Sequence, residues 1–147
     1  MKKALFPLLL CLCCIVFTGC LGPFPEPINA NGFDSVCESV ASQYELCIPP
    51  TASFVGGYYD HAYRDPGITV LFSVPQADFD TMLSENWKPA NRITAPSVLE
   101  DQLSLSGFIP DAQYQLNTEL YTFLWVQDAE NGQRLCLFSG HNPIRQY

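Results

Sequence analysis

The sequence predicts an α+β domain: a small antiparallel sheet of at least three strands, a C-terminal hairpin among them, with two to three helices on one face. Three observations carry this expectation. Ile68-Thr69-Val70-Leu71-Phe72-Ser73-Val74 is a β-branched, apolar run bounded by Gly67 and Pro75, as a buried strand requires. Glu119 to Val126 and Gln133 to Ser139 are two further apolar runs, separated by a polar turn ending in Asn131-Gly132, the residue pair that accepts positive φ. Val36, Cys37, Val40, Ala41 and Tyr44 recur at helical spacing, which gives an amphipathic stripe.

Each element has its own boundary signals. Ser35-Val36-Cys37-Glu38 reads as a capping box that opens the first helix, and Pro49-Pro50 cannot be continued through. The stretch from Val55 to Gly67, rich in glycine and aromatic residues, reads as a loop. Pro75 or Gln76 opens a second helix. Asp78 and Asp80 lie in its first turn, where carboxylates favour the helix dipole, and Phe79, Met82 and Leu83 share one face that Trp87 extends. Ser97-Val98-Leu99-Glu100 is another capping box and predicts a short third helix to about Leu105, stopped by Gly107. In the hairpin, Leu120, Thr122, Leu124 and Val126 alternate with Tyr121, Phe123 and Trp125, so both faces are apolar and one must meet helices.

The chain has 147 residues, 48% hydrophobic and 15% charged, which suits one globular domain and excludes a collagen-like, coiled-coil or disordered chain. Its formal net charge is −8. Lys2 and Lys3 precede the apolar run of the leader, so the remainder holds five basic against fifteen acidic side chains. Such a body has no basic stripe to displace phosphate counterions, and nucleic acid is excluded as a partner.

The first twenty residues comprise a charged start, an apolar run from Ala4 to Phe17 and a polar close, Thr18-Gly19-Cys20. That is a secretory signal pattern, and its 14 apolar residues fall short of the roughly 20 that a membrane-spanning helix needs. Phe17-Thr18-Gly19-Cys20 resembles the lipobox of bacterial membrane lipoproteins. The resemblance implies that Cys20 is linked to diacylglycerol and becomes the new N-terminus, so the acyl chains hold the protein in the cell envelope. Leu21 after the cysteine is not the aspartate that marks inner-membrane retention, so in a Gram-negative source the resemblance implies the outer membrane. The expected organisation is a signal peptide over 1–19, a lipidated N-terminus and Pro-rich tether over 20–34, and a single domain over 35–147. Pro23, Pro25 and Pro27 give the tether its extended character.

Three thiols remain beyond Cys20: Cys37, Cys47 and Cys136. In an oxidising compartment one disulfide is expected, and Cys37 to Cys47 is the local choice, provided the first helix ends before Cys47; a bond from either to Cys136 stays open. Without a C-x-x-C pair no metal site is expected, and no cofactor motif occurs.

The most site-like stretch is Gly56 to Asp65, where Tyr58, Tyr59, Asp60, His61, Tyr63 and Arg64 concentrate aromatic and ionisable groups. His61 and His141 are the histidines of the chain, and neither sits with a serine or cysteine in a nucleophile motif. The resulting expectation is a non-enzymatic binding or regulatory module on a membrane, with another envelope protein as its partner. The alternative is an envelope hydrolase or glycan-binding protein that uses the Tyr58-Tyr59-Asp60-His61 stretch. A further expectation places an assembly surface on the exposed hairpin face, with Phe123 and Trp125.

Overall fold

The structure, a computed structural model, describes residues 25–61, 66–94, 96, 103, 105, 107–117 and 122–141. Its centre is one seven-stranded, wholly antiparallel sheet. In chain order the strands are β1 (Glu26–Pro27), β2 (Ser53–Asp60), β3 (Gly67–Pro75), β4 (Trp87–Pro89), β5 (Ala112–Leu116), β6 (Thr122–Asp128) and β7 (Gln133–His141). In space they run β1-β2-β3-β7-β6-β5-β4. Two meanders, β1 to β3 and β4 to β7, are thus joined where β3 pairs with β7 along its whole length, from Gly67 opposite His141 to Pro75 opposite Gln133.

The two described helices are α1 (Phe33–Tyr44) and α2 (Gln76–Met82). The expected small sheet with two to three helices on one face is therefore corrected to a sheet-dominated fold. The reason lies in strands that local pattern hides. β2 carries Gly56 and Gly57 and read as loop, yet a Cβ at Gly57 would lie 2.8 Å from the Thr69 carbonyl and 3.1 Å from Ile28 Cδ1, so glycine is needed for close packing inside the sheet. β4 is three residues long, and β5 is dominated by amide and aromatic side chains rather than β-branched ones. The expected third helix lies outside the described residues apart from Leu103 and Leu105.

Both helices lie on one face. Phe33, Val36, Val40 and Tyr44 of α1 and Phe79 and Met82 of α2 pack with Val70, Phe72, Val74, Leu124, Val126, Cys136 and Phe138 into the larger core. Trp87, expected to extend the α2 stripe, sits instead on β4, and its indole N–H donates to the Tyr44 carbonyl at 3.0 Å, satisfying an orphan carbonyl at the end of α1. The start of α1 also differs from expectation. The helix begins at Phe33 after Gly32, so Ser35 and Glu38 lie inside it, and the side-chain cap falls one turn earlier, where Asn29 Oδ1 accepts from the Gly32 N–H at 3.0 Å. β1 and the 3-10 turn Ala30–Gly32 occupy part of the expected tether; Ile28 is buried there, and its N–H donates to the Gly57 carbonyl at 2.9 Å.

On the opposite face a smaller core joins Tyr58, Leu71, Trp125 and Leu137 to Leu103, with Leu105, Phe108 and Phe123 packed against it. The hairpin of β6 and β7 turns at Asn131 and Gly132, both at positive φ (73° and 72°), and splits its side chains as the alternation requires: Leu124 and Val126 to the helices, Phe123 and Trp125 to the other face.

Candidate functional site

The residues singled out from sequence converge in part: Tyr59, Asp60 and His61 line one hollow, and Tyr58 faces the other way. Because Tyr58 and Tyr59 are neighbours on β2, the pleat sends them to opposite faces: Tyr58 is buried in the smaller core and Tyr59 packs against the larger one. Tyr59 does lie beside His61, their rings stacked at 6.2 Å, and both line a hollow of about 150 Å³ with Asp60, Tyr44, Gln43 and Pro66. His61 Nε2 is 3.0 Å from Glu26 Oε2, a partly exposed pair that fastens β1 to the end of β2. His141 ends β7 and stands across Gly67 from Asp60, because Gly67 pairs with both. Tyr63, Arg64 and Cys20 lie outside the described residues.

The thiols of Cys37, Cys47 and Cys136 are free in this structure, with no bond between Cys37 and Cys47. Burial pushes the Cys136 thiol up to about 12, helped against Arg134 by the charge of Asp128. Burial and the Asp34 carboxylate raise Cys37 to about 11. Both are poorly placed for thiolate chemistry; Cys47 is exposed. Among the described residues no three His, Cys, Asp or Glu side chains gather as metal ligands, and no helix is long and apolar enough to cross a membrane.

A different place in the fold has the makings of a site. At the β4 edge, on the face opposite α1 and α2, a hollow of about 380 Å³ is lined by Lys88, Asn91, Arg92, Thr94, Gln113, Gln115, Asn117 and Phe123, among others. Strand register builds it. Lys88 pairs with Gln115, Gln115 with Phe123 and Gln113 with Trp125, so these five side chains share one face. Their strand neighbours Trp87, Leu116 and Leu124 point the other way into the larger core.

The rim is formed by the segment after β4, which is tied down by hydrogen bonds. The Ala90 N–H donates to the Gln113 carbonyl at 2.8 Å. Gln113 Oε1 accepts from the Thr94 N–H at 2.7 Å and from its hydroxyl at 3.1 Å, while the Thr94 carbonyl accepts from the Trp125 indole at 2.8 Å. The Thr94 backbone donor fixes which end of the Gln113 amide is oxygen, a choice that rests on the bonding network.

No protein-family model, curated protein or solved structure matches this chain. The site must therefore be read from its own chemistry. Among the described residues no carboxylate lines the hollow. Among the described residues the cations are Lys88, Arg92 and Arg134, and two of the three stand at this one place. Arg134 is engaged elsewhere, 2.9 Å from Asp128 and over the Phe79 ring at 4.5 Å. Neither Lys88 nor Arg92 has an ion pair among the described residues.

Sequence reading missed this hollow because its walls come from strands it did not find. The signal was present in Gln113-Tyr114-Gln115-Leu116-Asn117, where amides alternate with large apolar residues at the period of a strand.

Proposed function

We propose that this protein is a lipid-anchored lipoprotein of the cell envelope whose domain serves as a binding module. The observation that carries the reading is Phe17-Thr18-Gly19-Cys20 directly after a short apolar run. Each buried methylene of an acyl chain contributes about 0.8 kcal/mol, so two or more chains on Cys20 hold the domain on the membrane durably.

Geometry supports a directed presentation. Pairing of Glu26 and Pro27 with Tyr58 and Tyr59 draws the tether into the sheet, so the chain between Cys20 and Glu26 reaches at most about 20 Å. The β1 edge is held near the bilayer. β4 is the opposite edge, six strand spacings or about 29 Å away. The hollow beside β4 then lies at the edge far from β1, where an envelope component can reach it.

Fractionation of cells that express the full chain tests the anchor. Wild type is expected in the membrane fraction, with incorporation of labelled palmitate, whereas Cys20→Ser is released and unlabelled. A Cys20→Ser protein that stays with membranes to the same extent overturns the reading.

A further inference from the structure

We propose that the hollow between β4, β5 and the Ala90–Thr94 segment binds a small carboxylate-bearing sugar. This deepens the binding-module reading and rests on it.

The donor set selects the ligand class. Gln115, Asn91 and Asn117 each offer both a carbonyl acceptor and N–H donors, the combination that a sugar hydroxyl, itself donor and acceptor, can satisfy on both counts. Phe123 is half-buried and lies across the strand from Gln115, so its ring offers an apolar surface beside the amides for the C–H face of a pyranose. Gln113 adds a fixed donor. It is 4% exposed, its oxygen is occupied twice by Thr94, and its amide nitrogen has no partner among the described residues, on a side chain that lines the hollow.

Charge then sets the sign of the ligand. Lys88 and Arg92 stand at the hollow with no carboxylate among the described residues of its wall, inside a protein whose net charge is −8. A local positive site on an acidic body attracts one anionic group at short range, while the whole body repels a polyanion at longer range. A single carboxylate on a sugar meets both conditions; a polyphosphate or nucleic acid does not. The volume of about 380 Å³ falls at the small-ligand end of binding cavities, roughly 300–1,000 Å³. Such a sugar can arrive free or as the terminal unit of an envelope glycan.

The experiment is isothermal titration of the detergent-solubilised full chain with glucuronate, with glucose as the neutral counterpart, with inorganic phosphate, and with a tetrasaccharide that ends in glucuronate. Glucuronate is expected to bind at least tenfold more tightly than glucose or phosphate. Lys88→Gln together with Arg92→Gln should weaken it by tenfold or more and abolish its salt dependence. Gln115→Leu should weaken glucuronate and leave the thermal transition in place. Tighter binding of the tetrasaccharide assigns the ligand to a glycan terminus, and equal binding assigns it to the free sugar acid. The proposal is overturned if glucose or phosphate binds as well as glucuronate, if the double variant binds unchanged, or if no titrant binds. Because the titration does not require the lipid, its failure leaves the anchor reading to be decided by Cys20→Ser fractionation alone.

Discussion

The two faces of the sheet are made from alternate residues of the same strands, yet they do different work. On one, Val70, Phe72, Leu124 and Phe138 meet α1 and α2 in an apolar core that extends from Phe33 to Trp87. On the other, Leu71, Trp125 and Leu137 are covered by the chain around Leu103 and Phe108, and the apolar surface gives way toward β4 to amides and cations. Apolar alternation specifies that a face is covered; it does not specify by what. Where helices with their own apolar stripes cover it, the face closes. Where the residues around Leu103 and Phe108 cover it, polar side chains toward β4 stay accessible and can form a site.

Removing one large side chain from each face breaks the comparison most directly. Phe138 is fully buried against the rings of Tyr44 and Trp87, and Phe138→Ala should cost about 3–5 kcal/mol. Leu137→Ala, one residue away and equally buried, should cost about 2–3 kcal/mol, because a leucine leaves a smaller cavity than a phenylalanine. Urea unfolding of both variants measures the difference; a loss from Leu137→Ala as large as that from Phe138→Ala would show that the smaller core yields less to a cavity than the larger one.

Alkali probes the helix-covered face through Cys136. Cys136 keeps its proton to about 12 when folded, against an ordinary value of 9.0, so above about pH 9 the unfolded chain loses that proton first. Its contribution is complete below pH 9 and is lost as pH rises toward 12. Denaturation midpoints should fall over that range and fall less in Cys136→Ala. In thiol labelling at neutral pH, Cys47 should react promptly and Cys136 only after unfolding.

On the open face, Trp125→Phe removes the 2.8 Å bond to the Thr94 carbonyl at a cost of about 1 kcal/mol. Faster amide exchange confined to the Ala90–Thr94 segment is the expected signature, with exchange in α1 unchanged. The smallest effect belongs to the sheet edge: His61→Ala breaks a partly exposed pair with Glu26 and should change stability by about 0–1 kcal/mol, read by the same urea series.

These regions also differ in how legible they were. The buried strand at Ile68 to Val74 and the hairpin at Asn131-Gly132 carry their signals within a few residues, as β-branched density and positive φ. β2 was hidden because its glycines answer to Ile28 and Thr69, contacts distant in the chain. Tyr58 and Tyr59 looked like one site because adjacency in sequence was read as adjacency in space, whereas the pleat of a strand separates neighbours. The hollow went unseen for the converse reason, since Lys88, Gln115 and Phe123 are remote in sequence and meet only through strand register.

By itself the sequence determined the local devices: the apolar run from Ala4 to Phe17 with Cys20 after it, the helical stripe from Val36 to Tyr44, the strand at Ile68 and the hairpin turn. These rest on backbone propensity, side-chain period and charge, which act over one or two turns of chain. Tertiary structure alone decided that Glu26 and Pro27 join the sheet, that α1 and α2 cover one face, and that Lys88 and Arg92 meet the amides beside β4. Those outcomes depend on which strands pair and in what register, a competition among long-range contacts that no short window of sequence records.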